Sequence, residues 1–130
     1  MGSKIDSSIR CAVIQLPGSN CEYETVKALT AAGLDTDILS WTASKSDCKQ
    51  YHAFIIPGGF SYQDRVRAGA IAAQLPIFDF LIKCAQEGTP VLGICNGCQI
   101  LAELGLIEQN DSLYSAVAMA PNMKDDQHYG

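Results

Sequence analysis

The sequence predicts an α/β fold: a mostly parallel sheet with helices on both faces, three layers in all. Three observations carry this. Short apolar runs of strand character alternate with segments of helical pattern. The first and third of these runs are stopped by Pro-Gly turns, Pro17-Gly18 and Pro57-Gly58-Gly59. The chain has 130 residues, 48% hydrophobic and 18% charged, which suits one core and leaves no room for a second. Residues 1–9 read as an N-terminal tail or an expression remnant, and residues 10–130 as the folded part.

Taken in order, residues 11–16 (Cys-Ala-Val-Ile-Gln-Leu) form a buried strand stopped by Pro17-Gly18. Ser19 and Asn20 are the expected caps of a helix with Glu22 and Glu24 in its first turn, Val26 and Leu29 on its apolar face and Gly33 at its end. Residues 37–39 form a weaker second strand. Residues 44–50 read as a loop or short helix. Residues 53–56 are a third strand, cut off by Pro57-Gly58-Gly59 and followed by a long loop through Phe60, Ser61, Tyr62, Gln63 and Asp64. Residues 68–87 read as a helix with a break or kink at Pro76, ended by Gly88. Residues 90–94 are a fourth strand, residues 96–104 a helix ended by Gly105, and residues 114–119 one more candidate strand. In parallel sheets, sites gather at the carboxyl ends of strands. Pro17-Gly18, Pro57-Gly58-Gly59 and Cys95 all fall there.

Composition narrows the function classes. Nine Lys and Arg face fourteen Asp and Glu, for a net charge of −5. With no basic run, the chain gains nothing from a phosphate backbone, so no nucleic-acid partner is expected. The longest apolar stretch, residues 68–85, carries Pro76, Asp79 and Lys83, which argues against a membrane span. The first ten residues are polar and resemble no signal peptide. Six cysteines without an export signal (Cys11, Cys21, Cys48, Cys84, Cys95 and Cys98) read as reduced thiols of a cytoplasmic protein. They lack zinc-site spacing, so no metal is expected.

The candidate chemistry lies in Gly93-Ile94-Cys95-Asn96-Gly97-Cys98-Gln99. Cys95 falls where a buried strand turns into a helix, between two glycines that permit a sharp, closely packed turn. This is the elbow that presents a nucleophile, and the helix dipole favours an anion there. The Asn96 N–H, first on the helix, can face an oxyanion. Pro57-Gly58-Gly59, ending the neighbouring strand, can supply a second donor from Gly59. A plainer reading makes Cys95 a small core residue and the glycines a simple turn. A rival reading takes Cys95-x-x-Cys98 as the dithiol of a redox protein; its place on the fourth strand–helix unit and the absence of a flanking Trp count against it.

These residues also carry a resemblance. Ala12-Val13-Ile14-Gln15-Leu16-Pro17-Gly18-Ser19-Asn20-Cys21, Pro57-Gly58-Gly59-Phe60-Ser61-Tyr62, Asp64-Arg65-Val66-Arg67-Ala68-Gly69-Ala70 and the Cys95 elbow are similar to class I glutamine amidotransferases. Within that class they resemble the glutaminase subunit of phosphoribosylformylglycinamidine synthase, of purine biosynthesis. The resemblance implies a flavodoxin-like domain and a reaction in which Cys95 attacks the side-chain amide of glutamine. A glutamyl thioester forms, ammonia leaves, and water releases glutamate. It implies oxyanion donors at Gly59 and Asn96 and contacts to glutamine from Gln99, Gly58 and Phe60. It also implies two partners: a synthetase subunit that uses ATP and Mg²⁺ to consume the ammonia, and a small accessory subunit. No phosphate-cradling loop occurs here, so no cofactor is expected in this chain. Gln63 stands where many members have Gly. Arg65 and Arg67 read as a solvated charge pair or as contacts to the synthetase.

The class places a His-x-Glu base downstream of the nucleophile, and this sequence has none. His52 precedes the third strand, so it is expected at the opposite sheet edge from Cys95. His128 lies in Asp125-Asp126-Gln127-His128-Tyr129-Gly130. Residues 10–130 therefore read as the N-terminal part of an amidotransferase domain, incomplete at the C-terminus, with little activity alone and surfaces that favour self-association. A silent domain that binds a synthetase partner stays open as a second alternative.

Overall fold

The computed structural model describes residues 9–107 and, as backbone, two short strands near the C-terminus. Four strands, β1 (Arg10–Gln15), β2 (Asp35–Ser40), β3 (Ala53–Ile56) and β4 (Val91–Gly93), form one parallel sheet in the order β2-β1-β3-β4. The register sets Ile14 beside Leu39, Val13 beside Ile55 and Ile56 beside Gly93. Four helices accompany them: α1 (Glu22–Ala31), α2 (Lys45–Cys48), α3 (Pro76–Gln86) and α4 (Asn96–Glu103). A separate antiparallel pair joins β5 (Asn122–Lys124) to β6 (Gln127–Tyr129). The predicted strand over residues 114–119 lies outside the described residues.

The period-two alternation of the strands divides the core. Ala12, Ile14, Phe54 and Ile56 point to one face and are sealed by Ile77, Phe78 and Leu81 of α3 and Ile100 and Leu101 of α4. Cys11, Val13 and Ile55 point to the other face, against Val26 and Leu29 of α1. Helices thus cover both faces of a parallel sheet, the predicted three-layer arrangement. Each fully buried Leu, Ile or Phe contributes about 1.5–3 kcal/mol.

Two local expectations are corrected. Ser19 and Asn20 do not cap α1: its N-cap is Cys21, which makes no side-chain capping bond. The Ser19 hydroxyl instead closes the preceding turn, accepting from the Leu16 N–H at 3.1 Å and donating to the Leu16 carbonyl at 2.9 Å. Pro76 does not kink a long helix but begins α3, at a position whose N–H the helix does not need. Residues 68–75 are turns with one 3₁₀ piece, Ala72–Gln74. Gly69 adopts φ +81°, and a side chain there would press within 2.8 Å of the Ile100 nitrogen. The small residues of this segment serve close packing against α4. Residues 44–50, read as loop or short helix, hold α2, capped by Ser44 and Asp47 in a reciprocal capping box.

Candidate active site

β4 leads into the site. The Ile94 N–H donates to the Ile56 carbonyl at 3.0 Å, extending the pairing one residue past the strand. The chain then reverses at Cys95, whose φ of 53° and ψ of −114° lie outside the regions an L-residue prefers, and α4 begins at Asn96. Such a conformation costs of order 1–3 kcal/mol and persists only where its surroundings impose it. Here the flanking glycines do so. A side chain on Gly97 would overlap the Ile56 carbonyl oxygen and stand 2.7 Å from its carbon, and one on Gly93 would stand 2.6 Å from the Gly97 carbonyl. The result is an exposed Cys95 thiol at the start of a helix.

Two backbone donors are open beside it. The Asn96 N–H, at the first helical position, has no intrahelical acceptor. Gly59 faces Ser19 across a single antiparallel bridge. The bonds of that bridge run from the Asn20 N–H to Gly58 O at 3.4 Å and from the Phe60 N–H to Gly18 O at 2.9 Å. This pattern turns the Gly59 N–H away from its neighbour strand. Among the described residues neither the Gly59 nor the Asn96 N–H donates to a protein group.

Gly58 joins the two halves of the site: a Cβ on it would lie 3.5 Å from the Cys95 Cβ and 3.6 Å from the Cys21 sulfur. Gln99 stands one turn into α4, held by Asn96. Phe60 is exposed and lines an open groove of about 420 Å³ with Pro17, Gly18, Tyr62 and Ile71. Tyr62, Gln63 and Asp64 all have positive φ, near 52–55°, a conformation that glycine adopts without the strain other residues carry.

The sequence reading missed two members. Cys21 enters the site wall because β1 and β3 are neighbours, so their two terminal turns meet. The Asn96 side chain, 2% exposed, is fully engaged. Its Oδ1 accepts from the Ser61 N–H at 3.1 Å, and its Nδ2 donates to Asp64 Oδ1 at 3.4 Å and Gln99 Oε1 at 3.1 Å. No sequence signal marks these partners.

His52 sits as expected at the amino end of β3, where its Nδ1 accepts from the Arg10 N–H at 3.0 Å, at the opposite edge from Cys95. His128 falls in β6, whose side chains are outside the described residues. Arg67 is exposed, with 51% of its side-chain surface open to solvent, and is already paired within the chain. It binds Glu103 through both carboxylate oxygens, at 2.5 and 2.8 Å. Arg65 donates to Gln63 Oε1 at 3.2 Å. Among the described residues no group of three or more metal-ligating side chains gathers, and no helix is long and apolar enough to cross a membrane.

Thiol exposure yields a first prediction. Burial pushes the Cys11 and Cys48 thiols up from their ordinary range, whereas Cys21 and Cys95 are exposed. Brief alkylation of the folded protein, mapped by mass spectrometry, should modify Cys21 and Cys95 first and Cys11 and Cys48 only on unfolding. Early modification of Cys48 would contradict this core assignment.

The sequence profile of the CobB/CobQ-like glutamine amidotransferase domain matches residues 8–128. The chain belongs to the CobB/CobQ-like glutamine amidotransferase family. This amidotransferase chain is 46% identical over 110 residues to the phosphoribosylformylglycinamidine synthase subunit PurQ of Methanothrix thermoacetophila, covering 85% of this chain and 42% of that protein. The PurQ subunit of Pyrococcus furiosus is 48% identical over 99 residues, covering 76% and 43%. Among solved structures, PurLQS from Thermotoga maritima superposes with a TM-score of 0.72 at 38% identity, covering 78% of this chain and 46% of that one. A putative GMP synthase subunit of Thermoplasma acidophilum, at 23% identity and a TM-score of 0.51 over 73% and 44%, shares the fold. The amidotransferase chain spans less than half the length of the curated relatives it matches. These matches favour neither the dithiol nor the silent-domain reading.

Proposed function

We propose that this chain carries the nucleophile side of the glutaminase site of a phosphoribosylformylglycinamidine synthase. The observation that carries the reading is the strained, exposed Cys95 elbow beside two unengaged N–H groups. Cys95 sulfur attacks the side-chain amide carbon of glutamine. The resulting oxyanion is held by the Asn96 and Gly59 N–H groups. The C–N bond breaks, ammonia leaves with a proton, and a γ-glutamyl thioester remains for water to hydrolyse to glutamate. Gln99, Gly58 and Phe60 contact the substrate. In the cytoplasm, ammonia passes to a synthetase subunit that uses ATP and Mg²⁺, and a small accessory subunit completes the assembly. The likeness to PurQ subunits of that synthase and to a chain of the PurLQS structure supports these partners.

Proton transfer separates binding from turnover. The leaving ammonia must gain a proton and the attacking water must lose one. No imidazole among the described residues stands beside Cys95. The 130-residue chain is therefore expected to hydrolyse glutamine roughly a thousandfold or more below a complete amidotransferase, since such groups act as a unit. Ammonia release at the rate of a complete enzyme would overturn this. Acid quenching after incubation with glutamine tests the chemistry itself: a γ-glutamyl adduct on Cys95 supports the reading, and an adduct on any other cysteine defeats it.

Self-association also belongs to this reading. β4 ends the sheet among the described residues, and Leu92 and Ile94 on its uncovered face are 54% and 44% exposed. An open edge beside exposed apolar side chains favours pairing. Sedimentation should show a dimer or larger species that Leu92→Lys dissociates. A parent protein that stays monomeric at high concentration rules this out.

A further inference from the structure

The orientation of two side-chain amides in the site is fixed by chemistry. Asn96 Oδ1 meets the Ser61 backbone N–H, which only donates, and Asn96 Nδ2 meets the Asp64 carboxylate, which as an anion only accepts. The Asn96 amide therefore cannot be turned over without losing both bonds. Its second N–H points at Gln99, so the Gln99 atom there must be the carbonyl oxygen. The Gln99 NH₂ group is thereby turned away from Asn96, on the first turn of α4 after Cys95. The same Asn96 ties the strained 61–64 turn to the residue that follows the nucleophile.

We propose that the Asn96 side chain is a positioning residue that presents Gln99 as a hydrogen-bond donor to an acceptor oxygen of glutamine and locks the 61–64 turn onto the Cys95 elbow. This rests on the glutaminase reading above and assigns Asn96 a task separate from its backbone N–H. It also defines the ligand group Gln99 can meet: a carbonyl or carboxylate oxygen, and not the ammonium. Ser61 fits the same picture, since it is 2% exposed and held through its main chain.

Asn96→Asp tests this with little change of size. The new carboxylate still accepts from Ser61, but its other oxygen faces the Asp64 and Gln99 oxygens, so the turn is repelled and Gln99 is driven to turn over. Two reagents separate geometry from thiol reactivity. Iodoacetamide needs only an accessible thiol, whereas a glutamine-like diazo ketone needs the glutamine-binding geometry. In Asn96→Asp, labelling of Cys95 by the diazo ketone should fall about tenfold or more, the loss expected when a buried polar contact is mispaired. Iodoacetamide labelling should stay near the parent rate. Adding Asp64→Asn to Asn96→Asp restores a donor opposite the new carboxylate and should recover part of the loss. A variant that never folds would not show this pattern, so Gln99→Glu serves as a second probe. It keeps the acceptor toward Asn96 and turns only the remaining donor into an acceptor, and it should show the same selective loss. Equal diazo-ketone labelling in parent, Asn96→Asp and Gln99→Glu overturns the positioning role while leaving the glutaminase reading intact. No diazo-ketone labelling of the parent overturns both.

Discussion

Gly97→Ala should melt far below the parent or lose its cooperative transition altogether. The added methyl would overlap the Ile56 carbonyl oxygen and lie 2.7 Å from its carbon and 3.1 Å from its Cβ. All three atoms belong to the central strand β3 and cannot swing aside. Relief requires α4 to lift off the sheet, which opens the packing of Ile100 and Leu101. Overpacking a tight site costs about 1–3 kcal/mol and more where backbone must move, so the upper end or beyond is expected. For a domain of this size each kcal/mol lowers Tm by about 4 °C. Gly88→Ala is the comparison: Gly88 has a positive φ, +95°, which Gly97 lacks, but nothing lies within 4 Å of the new methyl. It should cost about 1–2 kcal/mol of backbone strain and nothing for packing. If both variants melt together in a calorimetric scan, the elbow is not packed as described.

The second large effect concerns the nucleophile. Cys95→Ser should fold like the parent and lose all labelling by a glutamine-like diazo ketone, because the thiol is the reacting atom. Its backbone strain should remain, since serine tolerates φ 53° no better than cysteine. Cys95→Gly should lose the labelling as well, yet be more stable than Cys95→Ser by about 1–3 kcal/mol, the strain that a glycine relieves. The two variants together separate a conformation kept for reactivity from one kept for packing. If Cys95→Gly is the less stable of the two, the elbow stores no such strain.

Much of the fold was legible because it rests on local rules. The runs around Val13, Phe54 and Leu92 are strands for their β-branched and apolar content, and Gly or Pro ended each of them. The Cys95 elbow was legible because two glycines around a strand–helix junction leave few other geometries. Errors arose where a residue's partner is not the one its type suggests. Ser19 has the chemistry of a cap, yet its hydroxyl is spent on Leu16 within the same turn. The stretch from Ala68 to Leu75 has helical composition, but Gly69 must let it press against α4. Arg67 reads as half of a solvated charge pair, and it is one, but its partner Glu103 comes from 36 residues away and could not be named from the sequence. Asn96 is the clearest case. Its backbone N–H could be placed from the sequence, whereas its side-chain partners Ser61 and Asp64 arrive from a loop 35 and 32 residues earlier. Tertiary contact decides such roles, and no local pattern encodes them.

The central claim is that Cys95 sits in a site shaped for glutamine, and competition labelling tests it most directly. The protein is treated with a limiting amount of a glutamine-like diazo ketone, with and without excess glutamine, and the modified cysteines are mapped by mass spectrometry. The label is expected at Cys95 alone, although Cys21 is also exposed and adjacent. Excess glutamine should suppress it. A label divided between Cys21 and Cys95, or one that glutamine does not suppress, would contradict a site shaped for glutamine.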